Sequence, residues 1–250
     1  MIPDIIHMIY PVTEKTRPWS AINSLAVKMA RKHHKDRMYI WTNDYKKIPL
    51  EIRNRVGIAE CKLPTEIDGV TIPYPQYIAD VMRLQILHDY GGIYMDTDVL
   101  LQKPIEHLLF QNNLILSWEG ADRRSISNAL MIAPPKHLFI EEWLRRIPQA
   151  IQSNTWAYGG VVLPAKMASN PYLNENLTIM PHTFCCPLDL AQPWLFDPKL
   201  KAEAKEKIKD ADAIHVFETY WRDTIKNITP EWLEKTDCLL TELGTGLWGQ

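Results

Sequence analysis

The sequence predicts an α/β protein built on one largely parallel sheet. Short β-branched apolar runs alternate along the whole chain with segments of helical apolar spacing. No repeat, low-complexity tract or polar linker divides it, so residues 1–250 read as a single domain. An apolar fraction of 46% and a charged fraction of 23% are those of a globular chain that buries its core without disulfides or a structural metal.

The first strand is expected over residues 5–10, ended by Pro11. Pro18 suits a first helical turn. Trp19, Ile22, Leu25, Ala26 and Met29 then recur at helical spacing, and Arg31, Lys32, His33, His34 and Lys35 place cations at the helix C-terminus. Residues 38–41 read as the second strand, Thr42-Asn43-Asp44 as its turn, and 58–63 as the third strand. A clear helix spans 75–90 and is stopped by Gly91-Gly92. Strands follow at 93–96, 99–102, 113–118 and 128–133, then helices at 136–146 and around 161–168. A strand at 177–180, a Lys-rich helix at 198–209, a strand at 213–217 and a helix starting at Pro230 complete the chain. Leu200, Ala204 and Ile208 give the Lys-rich helix only a narrow apolar stripe, so it reads as a solvated face, with peripheral membrane contact a weaker option.

Composition excludes several classes of function. Lys plus Arg number 28 against 30 Asp plus Glu, a net charge of -2, which argues against a nucleic-acid binder. No run is long and apolar enough for a transmembrane segment, and Asp4 with no basic stretch argues against a signal peptide. Cys61, Cys185, Cys186 and Cys238 lack zinc-type spacing, and the sequons at Asn176 and Asn227 would matter only in a secreted chain, so a cytoplasmic location is expected.

Chemistry concentrates in Ala79-Asp80-Val81-Met82-Arg83 and Tyr90-Gly91-Gly92-Ile93-Tyr94-Met95-Asp96-Thr97-Asp98. A helix ends in two glycines, and an apolar strand then delivers two carboxylates at i, i+2, which strand alternation would point to one side. Two such oxygen ligands suit Mn²⁺ or Mg²⁺, ions that commonly complete their shell with substrate phosphates. Asp80 and Arg83 share a face of an otherwise apolar helix, where the carboxylate can accept sugar hydroxyls and the guanidinium can hold a phosphate.

Asp80-x-x-Arg83 followed by Leu87-x-x-Tyr90-Gly91-Gly92-Ile93-Tyr94-x-Asp96-x-Asp98 resembles the DXD sugar-binding region of glycosyltransferase family 32. That family includes fungal α-1,6-mannosyltransferases and bacterial capsule transferases, and the string is also similar to one in clostridial toxin glucosyltransferase domains. Residues 2–10 resemble the family's first strand, and His215 to Trp221 its His-x4-Ser-Trp ending, with Tyr220 in place of Ser. The resemblance implies a GT-A fold, a Rossmann-like mostly parallel sheet flanked by helices. Residues 1–103 would form the nucleotide-sugar and metal half, and 104–250 the acceptor side. It also implies a nucleotide-sugar donor (UDP-sugar favoured, GDP-mannose the second choice), a divalent metal and retention at the anomeric carbon. The acceptor would be a glycan, glycolipid or protein.

By position, Asp98 would be the firmest metal ligand, joined by Asp96 and His215. Asp80, Arg83, Asp96 and Asp98 would be the catalytic set. Tyr10 would stack on the base, and Tyr94 would line the donor pocket. Asn43, Asn128, Gly159 and Trp221 would add donor contacts. Trp118 and Glu119 are candidates to meet an acceptor, and residues 243–250 a candidate lid. His7 reads as structural, and His33 and His34 as surface residues at the helix end. Two rivals remain at this point: a haloacid-dehalogenase-like phosphatase, with Asp96 as nucleophile and Asp98 as general acid, and a noncatalytic nucleotide-sugar binder.

Overall fold

The computed structural model describes residues 1–34 and 37–247. Its framework is a seven-stranded sheet. Strands β1 (Ile6–Ile9), β2 (Met38–Thr42) and β3 (Gly57–Glu60) lead the chain, and a small β4–β5 hairpin (Glu66–Ile67 and Val70–Thr71) follows. Next come β6 (Gly92–Met95), β7 (Val99–Leu101), β8 (Leu114–Trp118), β9 (Ile126–Ala133), β10 (Leu177–Met180) and β11 (Ala213–His215). The sheet order is β10-β8-β9-β6-β1-β2-β3, while β7 and β11 pair apart from it. Every neighbouring pair in the large sheet is parallel except the two that involve β9. The largely parallel expectation therefore holds, with one reversed strand inside it.

Helix α1 (Ala21–His33) begins later than the sequence suggested. Ser20 caps it: its hydroxyl accepts from Asn23 N–H while the Asn23 side chain accepts from Ser20 N–H. That reciprocal cap contributes about 1 kcal/mol and leaves Pro18 outside the helix. His34 is buried rather than on the surface, with Nδ1 3.4 Å from Asp4. A short α2 (Leu50–Arg53) precedes α3 (Pro75–Tyr90), whose bounds are those read from the sequence. Proline at its start and glycine at its end explain why.

Helix α4 (Leu138–Gln152) continues past Arg146 through Pro148, because Ile147, Ala150 and Ile151 keep the apolar face buried. A π-turn at Tyr158–Val162 then leads into α5 (Leu163–Ala168). The Lys-rich helix is α6 (Lys201–Ile208), and α7 (Arg222–Ile225), α8 (Pro230–Lys235) and α9 (Leu239–Leu243) close the described chain. Lysines of α6 are paired with Glu203, Glu242 and Asp237, as a solvated face requires.

Apolar residues collect in three clusters. One lies between the sheet and α3–α4, around Tyr94, Phe139 and Trp143. A second lies on the opposite face with Met8, Ile40, Cys185 and Cys186, and a third joins α1 to β11 and the C-terminal helices. All four cysteines are free thiols. No helix among the described residues is long and apolar enough to cross a membrane.

Candidate functional site

A cleft of 1020 Å³ opens where the chain leaves the C-terminal ends of β1 and β6, the usual ligand side of a parallel sheet. Gly91 and Gly92 set the start of the strand that leads into it. With φ of +64° and +102° they turn the chain from α3 into β6. A Cβ at Gly92 would stand 2.7 Å from the Ile5 carbonyl, so only glycine lets β6 lie this close to β1.

Strand β6 ends at Met95, and Asp96-Thr97-Asp98 is a turn closed by Val99 N–H donating to Asp96 C=O at 3.1 Å. The two carboxylates therefore converge through a turn, not through the strand alternation inferred from i, i+2 spacing. His215 arrives by register. Strand β11 runs antiparallel to β7 with His215 opposite Val99, and Val216 N–H donates to Asp98 C=O at 3.0 Å. One ligand atom each from Asp96, Asp98 and His215 lies within 4.8 Å of the others. Two carboxylates and an imidazole are a donor set that fits Mn²⁺ or Mg²⁺.

Charges around this triad are tightly partnered. Arg83, 5% exposed, has NH1 3.3 Å from Asp96 and NH2 3.3 Å from both Asp80 and Asp96, and it donates to Asn128 C=O at 2.6 Å. Burial alone would discourage its charge, but Asp96, Tyr94 and Asp80 hold it cationic. Burial raises Asp80 and Asp96 above the usual carboxylate range against the pull of Arg83. Burial also works against ionisation of Asp98, yet His215 at 3.6 Å and the Glu218 N–H at 2.7 Å hold that carboxyl below its ordinary value. His215 is correspondingly raised well above a free imidazole, because Asp98 outweighs its burial. A metal ion ligated there would have to displace that proton.

Most of the residues named from sequence meet here, and several take different positions from those expected. Asp80, Arg83, Asp96, Asp98, Asn128, His215 and Tyr10 line the cleft. Tyr10 donates its hydroxyl to Arg17 C=O at 2.7 Å, and burial pushes its phenol up to about 12. Tyr94 does not line the pocket. It is fully buried beneath Arg83 and donates its hydroxyl to Asp96, so it backs the carboxylate instead.

Asn43 is exposed and spends its amide on Val12, accepting at 2.8 Å and donating at 2.9 Å, which pins the loop after β1. Gly159 is buried, its carbonyl accepting from Trp143 Nε1; it is Gly160 that faces the cleft. Trp221 packs edge-on against Phe196, and its neighbour Tyr220 lines the cleft. Trp118 packs against the α3–α4 cluster, whereas Glu119 lines the cleft. The candidate lid is docked as far as Leu247, whose carbonyl accepts from Lys28 at 3.1 Å, and none of 243–247 lines the cleft. Residues 248–250, including Trp248, lie outside the described residues.

Residues with no sequence motif complete the site. Asn23 Nδ2 donates to Thr97 C=O at 3.1 Å and to Glu218 Oε2 at 2.9 Å. Arg17 donates to Glu218 C=O and Thr219 Oγ1, both at 2.7 Å. The stretch after β11 is thereby strapped across the cleft, with Phe217 turned through φ +56° and its ring 4.0 Å from that of His215. A Cβ on Gly160 would stand 2.8 Å from Asn128 Nδ2 and 2.9 Å from Asp80 Oδ2. Contacts like these are set by distant register, so no local signal in the sequence announces them.

The fold and this site define a GT-A glycosyltransferase architecture. Over 99% of this chain and 88% of the other, it superposes on the PaToxG glycosyltransferase with a TM-score of 0.52 at 17% identity. For the WbbM bifunctional glycosyltransferase the TM-score is 0.53, covering 93% of this chain and 51% of that one at 12% identity. Residues 21–115 match the family model described as the glycosyltransferase sugar-binding region containing the DXD motif. The chain is 28% identical to Glucan organizing enzyme 1 of Cryptococcus neoformans var. grubii over 187 residues, 67% of this chain and 50% of that protein. It is 30% identical to the human alpha-1,4-N-acetylglucosaminyltransferase over 120 residues, 48% of this chain and 33% of the relative. Inositol phosphoceramide mannosyltransferase 3 of Schizosaccharomyces pombe is 29% identical over 59% of this chain and 38% of its own length. The chain thus spans half or less of these relatives. By motif, relatives and fold it is similar to the glycosyltransferase family 32-like proteins.

Proposed function

We propose that this chain is a metal-dependent retaining glycosyltransferase that moves a hexose-type sugar from a nucleotide-sugar donor to a glycan, glycolipid or protein hydroxyl. The observation that carries the reading is the Asp96, Asp98 and His215 triad at the cleft floor beside Arg83 and Asp80. Asp96, Asp98 and His215 would hold Mn²⁺ or Mg²⁺, which supplies positive charge against the diphosphate leaving group. Arg83, fixed by two carboxylates and a backbone carbonyl, adds a cation that needs no reorganisation during reaction. Asp80, steadied by Asn128 at 2.8 Å, is placed to accept from donor-sugar hydroxyls. Tyr10 supports the nucleoside from the other wall. A UDP-sugar is the favoured donor and GDP-mannose the second, and four free thiols accord with a cytoplasmic site of action.

The phosphatase alternative needs Asp96 free as a nucleophile. Its Oδ1 already accepts from Tyr94, and both its oxygens face Arg83. The deciding experiment is nucleotide release from a panel of UDP- and GDP-sugars with Mn²⁺, with EDTA, and with Asp98→Asn. We expect metal-dependent release from one donor, abolished by the substitution. A protein that neither binds nor cleaves any nucleotide sugar would end the reading, and one that binds without cleaving, with or without added acceptors, would be a noncatalytic binder.

A further inference from the structure

The cleft is also lined by side chains that the donor site does not use. Trp156 lines it and is 61% exposed, the only exposed tryptophan among the described residues. Its indole has no ring or hydrogen-bond partner there. Asn154 and Ala157 flank it in left-handed conformations (φ +50° and +58°), and the π-turn at Tyr158–Val162 follows. Tyr220, 59% exposed, lines the same cleft. Its ring lies edge-on to Trp221 at 5.0 Å, and its N–H donates to Phe217 C=O at 2.8 Å.

Asp189, which also lines the cleft, supplies a carboxylate. Its Oδ1 accepts from Ala191 N–H at 2.9 Å and from Trp194 Nε1–H at 3.0 Å, an arrangement that fixes the group and leaves Oδ2 without a donor among the described residues. The Trp194 bond holds the acid below its ordinary range, so it stays ionised and acceptor-only. Exposed aromatic side chains lining a cleft offer apolar faces that a ligand can cover. A pyranose ring has the matching chemistry: a face of C–H groups for an aromatic ring and equatorial hydroxyls that donate to a fixed carboxylate.

We propose that Trp156, Tyr220 and Asp189 form an acceptor subsite for a pyranose ring, so that the acceptor is a glycan recognised through its sugar. The inference rests on reading the cleft as that of a glycosyltransferase and adds the substrate class on the acceptor side. It also moves the aromatic contact from Trp118, which packs partly buried against the α3–α4 cluster, to Trp156.

The test uses the full chain with the donor found by nucleotide release and, as probes, methyl α- and β-pyranosides of mannose, glucose and galactose. Saturation-transfer NMR on these probes and initial-rate kinetics are measured for wild type, Trp156→Ala, Trp156→Phe and Asp189→Asn. At least one pyranoside should receive saturation on one ring face and act as acceptor. Trp156→Ala should raise its KM by about tenfold while the donor KM moves less than about twofold, and Trp156→Phe should recover most of the loss. Asp189→Asn should weaken the same pyranoside without changing thermal unfolding. The proposal is overturned if wild type consumes a donor yet no pyranoside binds or accepts, or if Trp156→Ala leaves the acceptor KM unchanged or raises the donor KM instead. Absence of nucleotide release from every donor would count against the transferase reading itself. Pyranoside saturation lost in Trp156→Ala would still support the subsite in that case.

Discussion

Lowering the pH from 7 to 5 should cost this protein stability through His7, a buried residue that never touches the cleft. Trp41 Nε1 can only donate, and it lies 3.2 Å from His7 Nδ1, so Nδ1 must be the bare acceptor. The proton then sits on Nε2, which donates to Gly91 C=O at 3.1 Å. Protonating Nδ1 would set two N–H groups against each other in a site where the ring is 3% exposed. Burial accordingly pulls the imidazole down to about 4, with the Gly91 bond opposing it only in part. An unfolded His7 titrates near 6.5, so between pH 6.5 and 4 the unfolded state binds more protons and stability falls as pH falls. Linkage gives a loss of about 2 kcal/mol at pH 5 and about 3 kcal/mol at pH 4, a large share of a typical 5–15 kcal/mol. Urea unfolding of wild type and His7→Gln at pH 7 and pH 5 isolates the effect, since other titrating groups cancel in the difference. Wild type should lose about 2 kcal/mol more than the variant over that range. Equal losses in the two proteins would refute the tautomer and the burial argument together.

Three substitutions probe the scaffold of the site. Gly160→Ala places a methyl against the ends of the Asp80 and Asn128 side chains, which can yield, so the fold should survive while donor turnover falls by up to about 100-fold; unchanged kinetics would remove Gly160 from the argument. Asn23→Ala deletes the amide that joins Thr97 to Glu218, and should cost about 1–3 kcal/mol and weaken Mn²⁺ binding by about 10–100-fold. Titration calorimetry with unaltered Mn²⁺ affinity would make that residue purely a helix cap. Gly92→Ala forces a Cβ to 2.7 Å from a backbone carbonyl at φ +102°, so thermal unfolding should show a loss of at least about 2 kcal/mol, and a near-native midpoint would contradict the close β1–β6 approach.

How much of this was legible in the sequence depends on the range over which each feature is decided. Helix α3 could be bounded to the residue because Pro75 and Gly91 act within one turn of its ends. The hairpin β4–β5 and the short helices α2, α7 and α9 have no sequence signal, since pieces of two to five residues carry no periodicity to read. Asp80, Arg83, Asp96 and Asp98 were found because a dense local string holds them. Their i, i+2 spacing does not by itself bring the two aspartates together; a turn after β6 does. Tyr94 shows the limit of the same string: within a continuous apolar strand, sequence alone does not say which face meets the cleft and which meets the core. Its side chain lies under the sheet and reaches the site only through Asp96.

The remaining parts depend on chain segments more than a hundred residues apart. His215 stands beside Asp98 because three residues of β11 pair with three of β7, and a slip of one position would turn its ring to the other face. That register is held at several points at once: Gln102 N–H on Asp212 C=O at 2.7 Å, His215 N–H on Cys185 C=O at 2.7 Å, and Glu218 N–H on the Asp98 carboxylate. Asn23 and Arg17 then tie the strap back to the first helix and its approach. The triad and the strap therefore form as one unit with the C-terminal third of the chain, although every residue of the DXD string precedes residue 99. A truncation that spared the whole DXD string but removed β11 would keep the signature and lose His215, the Glu218 N–H and the segment that carries Tyr220. Motif and competent site are separable here, and the antiparallel β7–β11 pairing is what joins them.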